Sequence, residues 1–146
     1  MNPLALLAAL VSGAFLPFQA ASNREMGKTL GHALHGSLVN FIGGTVALLM
    51  VITIMRFQPN LDRIWAAPWW SWIGGLMGAT MVTSAIVFSP KIGTVAFFAA
   101  MVCGQMLASL LVDSTGMMNM PRVDITWARV LGCLLVISGV ILVTRA

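Results

Sequence analysis

Charge is what this chain lacks most. Of 146 residues only 8 are Lys or Arg and 4 are Asp or Glu, or 8% charged, while 59% are hydrophobic; soluble domains carry roughly 25% charged residues. No soluble core could bury that much apolar surface, so a water-soluble fold is excluded. The net charge of +4 rests on basic residues scattered singly along the chain, without the clustered basic face that nucleic-acid binding requires; no nucleic-acid partner is expected. There are 2 cysteines, Cys103 and Cys133, both inside long apolar stretches. They read as small packing residues and exclude a disulfide framework. The 2 histidines, His32 and His35, lack further ligands nearby, so no metal site is expected and a capping or interfacial role is assigned to them. No Ser-His-Asp order occurs in a usable context, and no Gly-rich phosphate loop is present. No enzyme activity and no cofactor are expected.

What the chain does have is uninterrupted apolar sequence. Met1 to Asn23, Thr29 to Met55, Ile64 to Pro90, Ile92 to Val112 and Val130 to Thr144 contain no Asp, Glu, Lys or Arg. A stretch of about 18 or more such residues marks a membrane-spanning helix. The last gap is shorter and reaches full length if Ile125 to Ala128 enter the bilayer while Arg129 snorkels back to the headgroups. The expected fold is therefore an all-α membrane protein, one domain over residues 1–146, with spans at about 2–21, 34–55, 70–89, 92–113 and 126–145. Ser22 to His32 is expected to be a polar connector, and Ser89-Pro90-Lys91 a tight reversal. Trp65, Trp69, Trp70, Trp72 and Trp127 mark interfaces. The run Leu4 to Leu16, followed by the small residues Ala20-Ala21-Ser22, has the outline of a secretory leader. No Lys or Arg precedes it, so it is expected to be a span instead.

Five spans put the chain ends on opposite sides of the membrane. Arg56, Arg63, Arg122 and Arg129 then fall on the N-terminal side, and Arg24, Lys28, Lys91 and Arg145 on the other. Orientation follows the Lys and Arg bias of short loops, and here the bias is nil. Either finer details fix one orientation, or the chain inserts both ways and pairs with an inverted copy. The second alternative gives a ten-helix antiparallel homodimer with the inverted symmetry used for alternating access.

Polar residues within spans are costly in hydrocarbon and face other helices or a wet cavity. Gln105, Ser109 and Asp113 recur at helical spacing along the fourth span. Thr80 and Ser84 form a second stripe with Thr83 close by; Asn40 lies inside the second span, and Gln19 and Asn23 are four apart at the foot of the first. Two roles fit these side chains, a polar pathway for a solute or hydrogen bonds that hold helices together. Carboxylates for proton coupling are scarce: Glu25 is flanked by Arg24 and Lys28, Asp113 closes the fourth span, and no acid lies at the centre of a span. Gly74 with Gly78, Gly104 with Ala108 and Ala128 with Gly132 have the small-xxx-small spacing that permits close helix approach.

Several segments carry a resemblance to a known family. Gly13-Ala14-Phe15-Leu16-Pro17-Phe18-Gln19-Ala20-Ala21-Ser22-Asn23, Pro68-Trp69-Trp70-Ser71-Trp72-Ile73-Gly74-Gly75, Gly104-Gln105-Met106-Leu107-Ala108-Ser109-Leu110-Leu111-Val112-Asp113 and Gly132 to Val143 resemble the YdcZ-like family of the drug/metabolite transporter superfamily. The resemblance implies a five-span unit of the bacterial inner membrane within a superfamily of small-solute transporters. The last two spans are also similar to those of small multidrug resistance exporters, which work as antiparallel dimers. Those exporters carry an embedded Glu in span one, where this chain has Ser12 and Gly13, so their cation/proton exchange does not carry over.

The expectation is thus a transporter of a small solute, working by alternating access as an antiparallel dimer in the lipid bilayer. Its pathway would be lined by Gln19, Asn23, Asn40, Thr80, Ser84, Gln105 and Ser109, with Glu25 and Asp113 as coupling carboxylates. The competing reading is a non-transporting accessory subunit whose polar stripes only hold helices together.

Overall fold

The computed structural model describes residues 2–145, and among them it has helices and connecting turns but no strand. Five helices are long and apolar enough to cross a membrane. In chain order the helices are α1 (Pro3–Thr29), α2 (Ala33–Ile54), α3 (Trp69–Trp72), α4 (Gly74–Ile92), α5 (Thr94–Thr115) and α6 (Trp127–Arg145). The single turn α3 leads into α4, and together they make the third span, Trp69–Ile92.

Local sequence explains where each helix begins and ends. Asn2 caps α1 by accepting the Leu4 N–H on its Oδ1 at 3.0 Å, with Pro3 at the first helical position where its missing N–H costs nothing. His32 caps α2 in the same manner through Nδ1, which accepts the Leu34 N–H at 3.2 Å. At its far end α2 closes with Arg56 in the left-handed conformation. Phe57 N–H then reaches the Ile52 carbonyl, and Arg56 N–H the Thr53 carbonyl, the two bonds of a Schellman cap. Gly116, also left-handed, ends α5.

Two boundaries differ from those the charges suggest. Ser22 to Thr29 is helix, not connector, and α1 continues two turns beyond its apolar run. Charged residues end the hydrocarbon crossing without ending the helix, because Arg, Glu, Met and Lys are good helix formers and Glu25 and Lys28 bridge one turn at 2.7 Å. Likewise Ser89-Pro90-Lys91 lies inside α4, and the reversal falls on Gly93 at φ +87°. Pro90 is tolerated within the last turn, where only one backbone hydrogen bond is forfeited.

The chain divides into two compact units, one ending at Val87 and the other starting at Phe88. In the first, α1 packs along α2, with Ala20, Asn23 and Gly27 of α1 and Gly36 and Ser37 of α2 buried. A Cβ on Gly36 would collide with the Asn23 carbonyl oxygen and come within 3.0 Å of the Gly27 amide nitrogen. Only glycine fits there. From α4, Val82, Ala85 and Ile86 are buried, and the Thr83 hydroxyl lies 2.8 Å from that of Ser37. The close approach therefore falls at Gly27 and Gly36. Of the glycines whose spacing suggested it, Gly78 packs against the Phe41 ring of α2, 3.5 Å from an added Cβ, whereas at Gly74, Gly104 and Gly132 an added Cβ would meet nothing within 4 Å. Small residues at the right interval permit contact but do not create it.

In the second unit α5 packs on α6, with Cys133 buried and Cys103 half-buried, both as free thiols. The connection between these helices folds back on α5: Arg122 Nε donates to the Thr115 carbonyl at 3.0 Å and Val123 N–H to the Asp113 carbonyl at 2.9 Å. That return brings the start of α6 beside the end of α5.

Candidate functional site

The α5 stripe meets α6 across an open groove of about 450 Å³. Gln105 lies near the middle of the 22-residue helix, about 33 Å long at a rise of ~1.5 Å per residue, which is close to the thickness of a bilayer core. Ser109 is one turn further and Asp113 one turn beyond that, and all three line the groove. Val102, Met106 and Leu110 interleave with them as apolar wall, while α6 contributes Gly132, Cys133 and Arg129. Gly132 adds no side chain, which leaves the middle of the groove open.

Asp113 and Arg129 close one end as an ion pair, Nη1 to Oδ2 at 2.8 Å, with about a third of each side chain accessible. Its effect is to place opposite charges within hydrogen-bond distance of each other, beside two neutral polar side chains. Gln105 and Ser109 have no side-chain hydrogen bond to another described residue. Contrast Thr53, Thr80 and Thr144, whose hydroxyls return to the carbonyl four residues earlier in their own helices. The groove thus combines an apolar wall with uncommitted donors and acceptors, the usual make-up of a small-molecule site.

The remaining polar residues fall elsewhere. Gln19 Nε2 donates to Asn40 Oδ1 at 2.9 Å, joining α1 to α2. Asn23 is buried between the same helices, and its Nδ2 has no partner among the described residues. Thr80 is exposed and bonded to Leu76 of its own helix, and Ser84 is half-buried. Glu25 is exposed and held by Lys28. So Gln19 and Asn40 meet one another, Gln105, Ser109 and Asp113 share a groove, and Thr80 joins neither arrangement. Arg129 was legible only as an interfacial anchor, and the Ser37–Thr83 contact was not legible at all. The signal that could have found Arg129 is a cation just inside α6 and a carboxylate just inside the end of α5, joined by a short connection.

Residues 4–142 match the family model described as "Putative inner membrane exporter, YdcZ". The chain belongs to this family. As a YdcZ-family member it is a multi-pass protein of the inner membrane, within the drug/metabolite transporter superfamily, and a transporter by class rather than an enzyme. Comparison with curated proteins and with solved structures returned no match.

Proposed function

We propose that the chain exports a small amphipathic solute and that the α5–α6 groove binds it. The observation that carries this reading is the uncommitted hydrogen-bonding capacity of Gln105 and Ser109 at mid-helix, against an apolar wall. A polar group left without a partner in hydrocarbon is costly, so these side chains are best satisfied by water or by a solute. The groove suits a molecule with an apolar body and one or two hydrogen-bonding groups. Asp113 and Arg129 neutralise each other, so the groove has no net charge to select a cation or an anion. The pair can open to meet a polar substituent and close again after release.

Alternating access is assigned to an antiparallel homodimer. Support comes from the equal division of Lys and Arg between the two sides and from the thin core of one chain. None of the large side chains among the described residues is fully buried, which leaves broad apolar faces for lipid or for an inverted copy. In the dimer the two grooves are related by a two-fold axis in the membrane plane, so that each orientation of the pair exposes one side.

The test is accumulation of a panel of amphipathic solutes in cells producing the chain or its Gln105→Leu variant at matched membrane levels. At least one solute is expected to accumulate less with the parent and to recover with the variant. Equal accumulation in both across the panel contradicts the assignment.

A further inference from the structure

A second cavity, of about 490 Å³, lies where α1 passes into α2. Arg24, Lys28 and His32 line it, and Ile86 of α4 forms an apolar wall. Gly31, at φ +83°, makes the turn without placing a side chain in the opening. Gly27 lets the helices close behind it, since a Cβ there would lie 3.2 Å from Ala33 Cα.

Depth sets the surroundings of this cavity. With 27 residues, α1 is about 40 Å long, against roughly 30 Å for the hydrocarbon core. Its last turns therefore stand at the level of the headgroups. Of the charged groups there, Glu25 holds Lys28 at 2.7 Å, while Arg24 has no ion-pair partner among the described residues. The cluster thus keeps one positive charge in excess. His32 adds a donor: its Nδ1 accepts the Leu34 N–H, so the neutral ring carries its proton on Nε2. His35 is committed elsewhere, with its Nδ1 facing the Leu30 carbonyl at 2.8 Å, an arrangement in which that nitrogen is the donor.

We propose that this cavity binds a phosphate group, through the Arg24 guanidinium, the His32 Nε2–H and a Lys28 ammonium shared with Glu25. The planar fork of arginine matches two phosphate oxygens, lysine supplies a point charge, and Ile86 suits the apolar part of the molecule that carries the phosphate. The same chemistry is offered by the headgroup of an anionic lipid and by free phosphate.

The experiment uses the full-length protein in maltoside detergent, which brings no phosphate of its own. One arm titrates inorganic phosphate, and the other titrates phosphatidylglycerol against diacylglycerol with the same acyl chains. Saturable binding in either arm is expected, and the arm that saturates identifies the source. Arg24→Gln should weaken that binding roughly tenfold or more, since it removes the charge-assisted hydrogen bonds of the fork. Glu25→Gln should tighten it several-fold by freeing Lys28, a gain that a purely structural role for these residues does not produce. Absence of binding in both arms overturns the proposal, and so does an unchanged affinity in a folded Arg24→Gln or in Glu25→Gln.

Discussion

Gln105 and Thr80 are both polar side chains within spans, and the difference between them is where their hydrogen bonds go. Thr80 reaches the carbonyl one turn back, a choice open to any helical Ser or Thr. Gln105 makes no such bond and lines the groove, where its amide is left for water or a solute. Replacing it with leucine should therefore leave the melting temperature of the purified protein within a few degrees of the parent, while solute binding falls roughly tenfold for the lost hydrogen bond. Scanning fluorimetry alongside a binding titration reads both. The Asp113–Arg129 pair behaves differently because each partner leaves a charge behind when the other is removed. Asp113→Asn and Arg129→Gln should each destabilise the protein, and the double variant should cost less than the two combined. A coupling of about 0.5–1 kcal/mol is expected for a pair this accessible; strict additivity in the unfolding cycle would mean that the pair contributes nothing.

At the scale of elements, the α1–α2 contact depends on missing side chains. Gly36→Ala forces a methyl group against the Asn23 carbonyl, and over-packing of this kind costs about 1–3 kcal/mol or more when backbone must move. Gly104→Ala is the matched control: its Cβ has open space, and alanine is favoured over glycine in helix interiors by about 0.5–1 kcal/mol. Thermal unfolding should drop for the first and hold or rise for the second. Much of this level was legible beforehand. Charge-free stretches located all five spanning helices, because in hydrocarbon the chain must satisfy its own backbone. Helix ends were less legible, since Arg24 to Thr29 and Lys91 leave the hydrocarbon while remaining helical. Spacing alone put Gln105, Ser109 and Asp113 on one face. It could not reveal that Arg129 closes their groove, that Gln19 meets Asn40, or that α1 and α2 approach most closely at Gly36, because those facts depend on which helix faces which.

For the whole molecule, the balance of Lys and Arg leads to an expectation about insertion. A reporter fused after Ala146, in one version active only in the cytoplasm and in another active only outside it, should give signal in both versions, as dual insertion requires. Moving the balance tests the cause: Lys91→Gln together with Arg145→Gln should give one orientation and reduce export. Signal from one version alone in the parent would rule out an antiparallel homodimer and leave the groove to function in a parallel assembly or beside a different partner.

If the α5–α6 groove is wet and open to solute, cysteine accessibility reads it without knowledge of the substrate. With Cys103 and Cys133 replaced by alanine, Gln105→Cys and Ser109→Cys would be compared with Leu107→Cys, an exposed α5 position that does not line the groove. A charged, membrane-impermeant thiol reagent would be applied to intact membranes. Labelling at positions 105 and 109 many times faster than at 107 is the predicted result, because thiolate forms only where water reaches. Equal and negligible labelling at all three positions would show the stripe sealed by helices or lipid, with no open solute groove between α5 and α6.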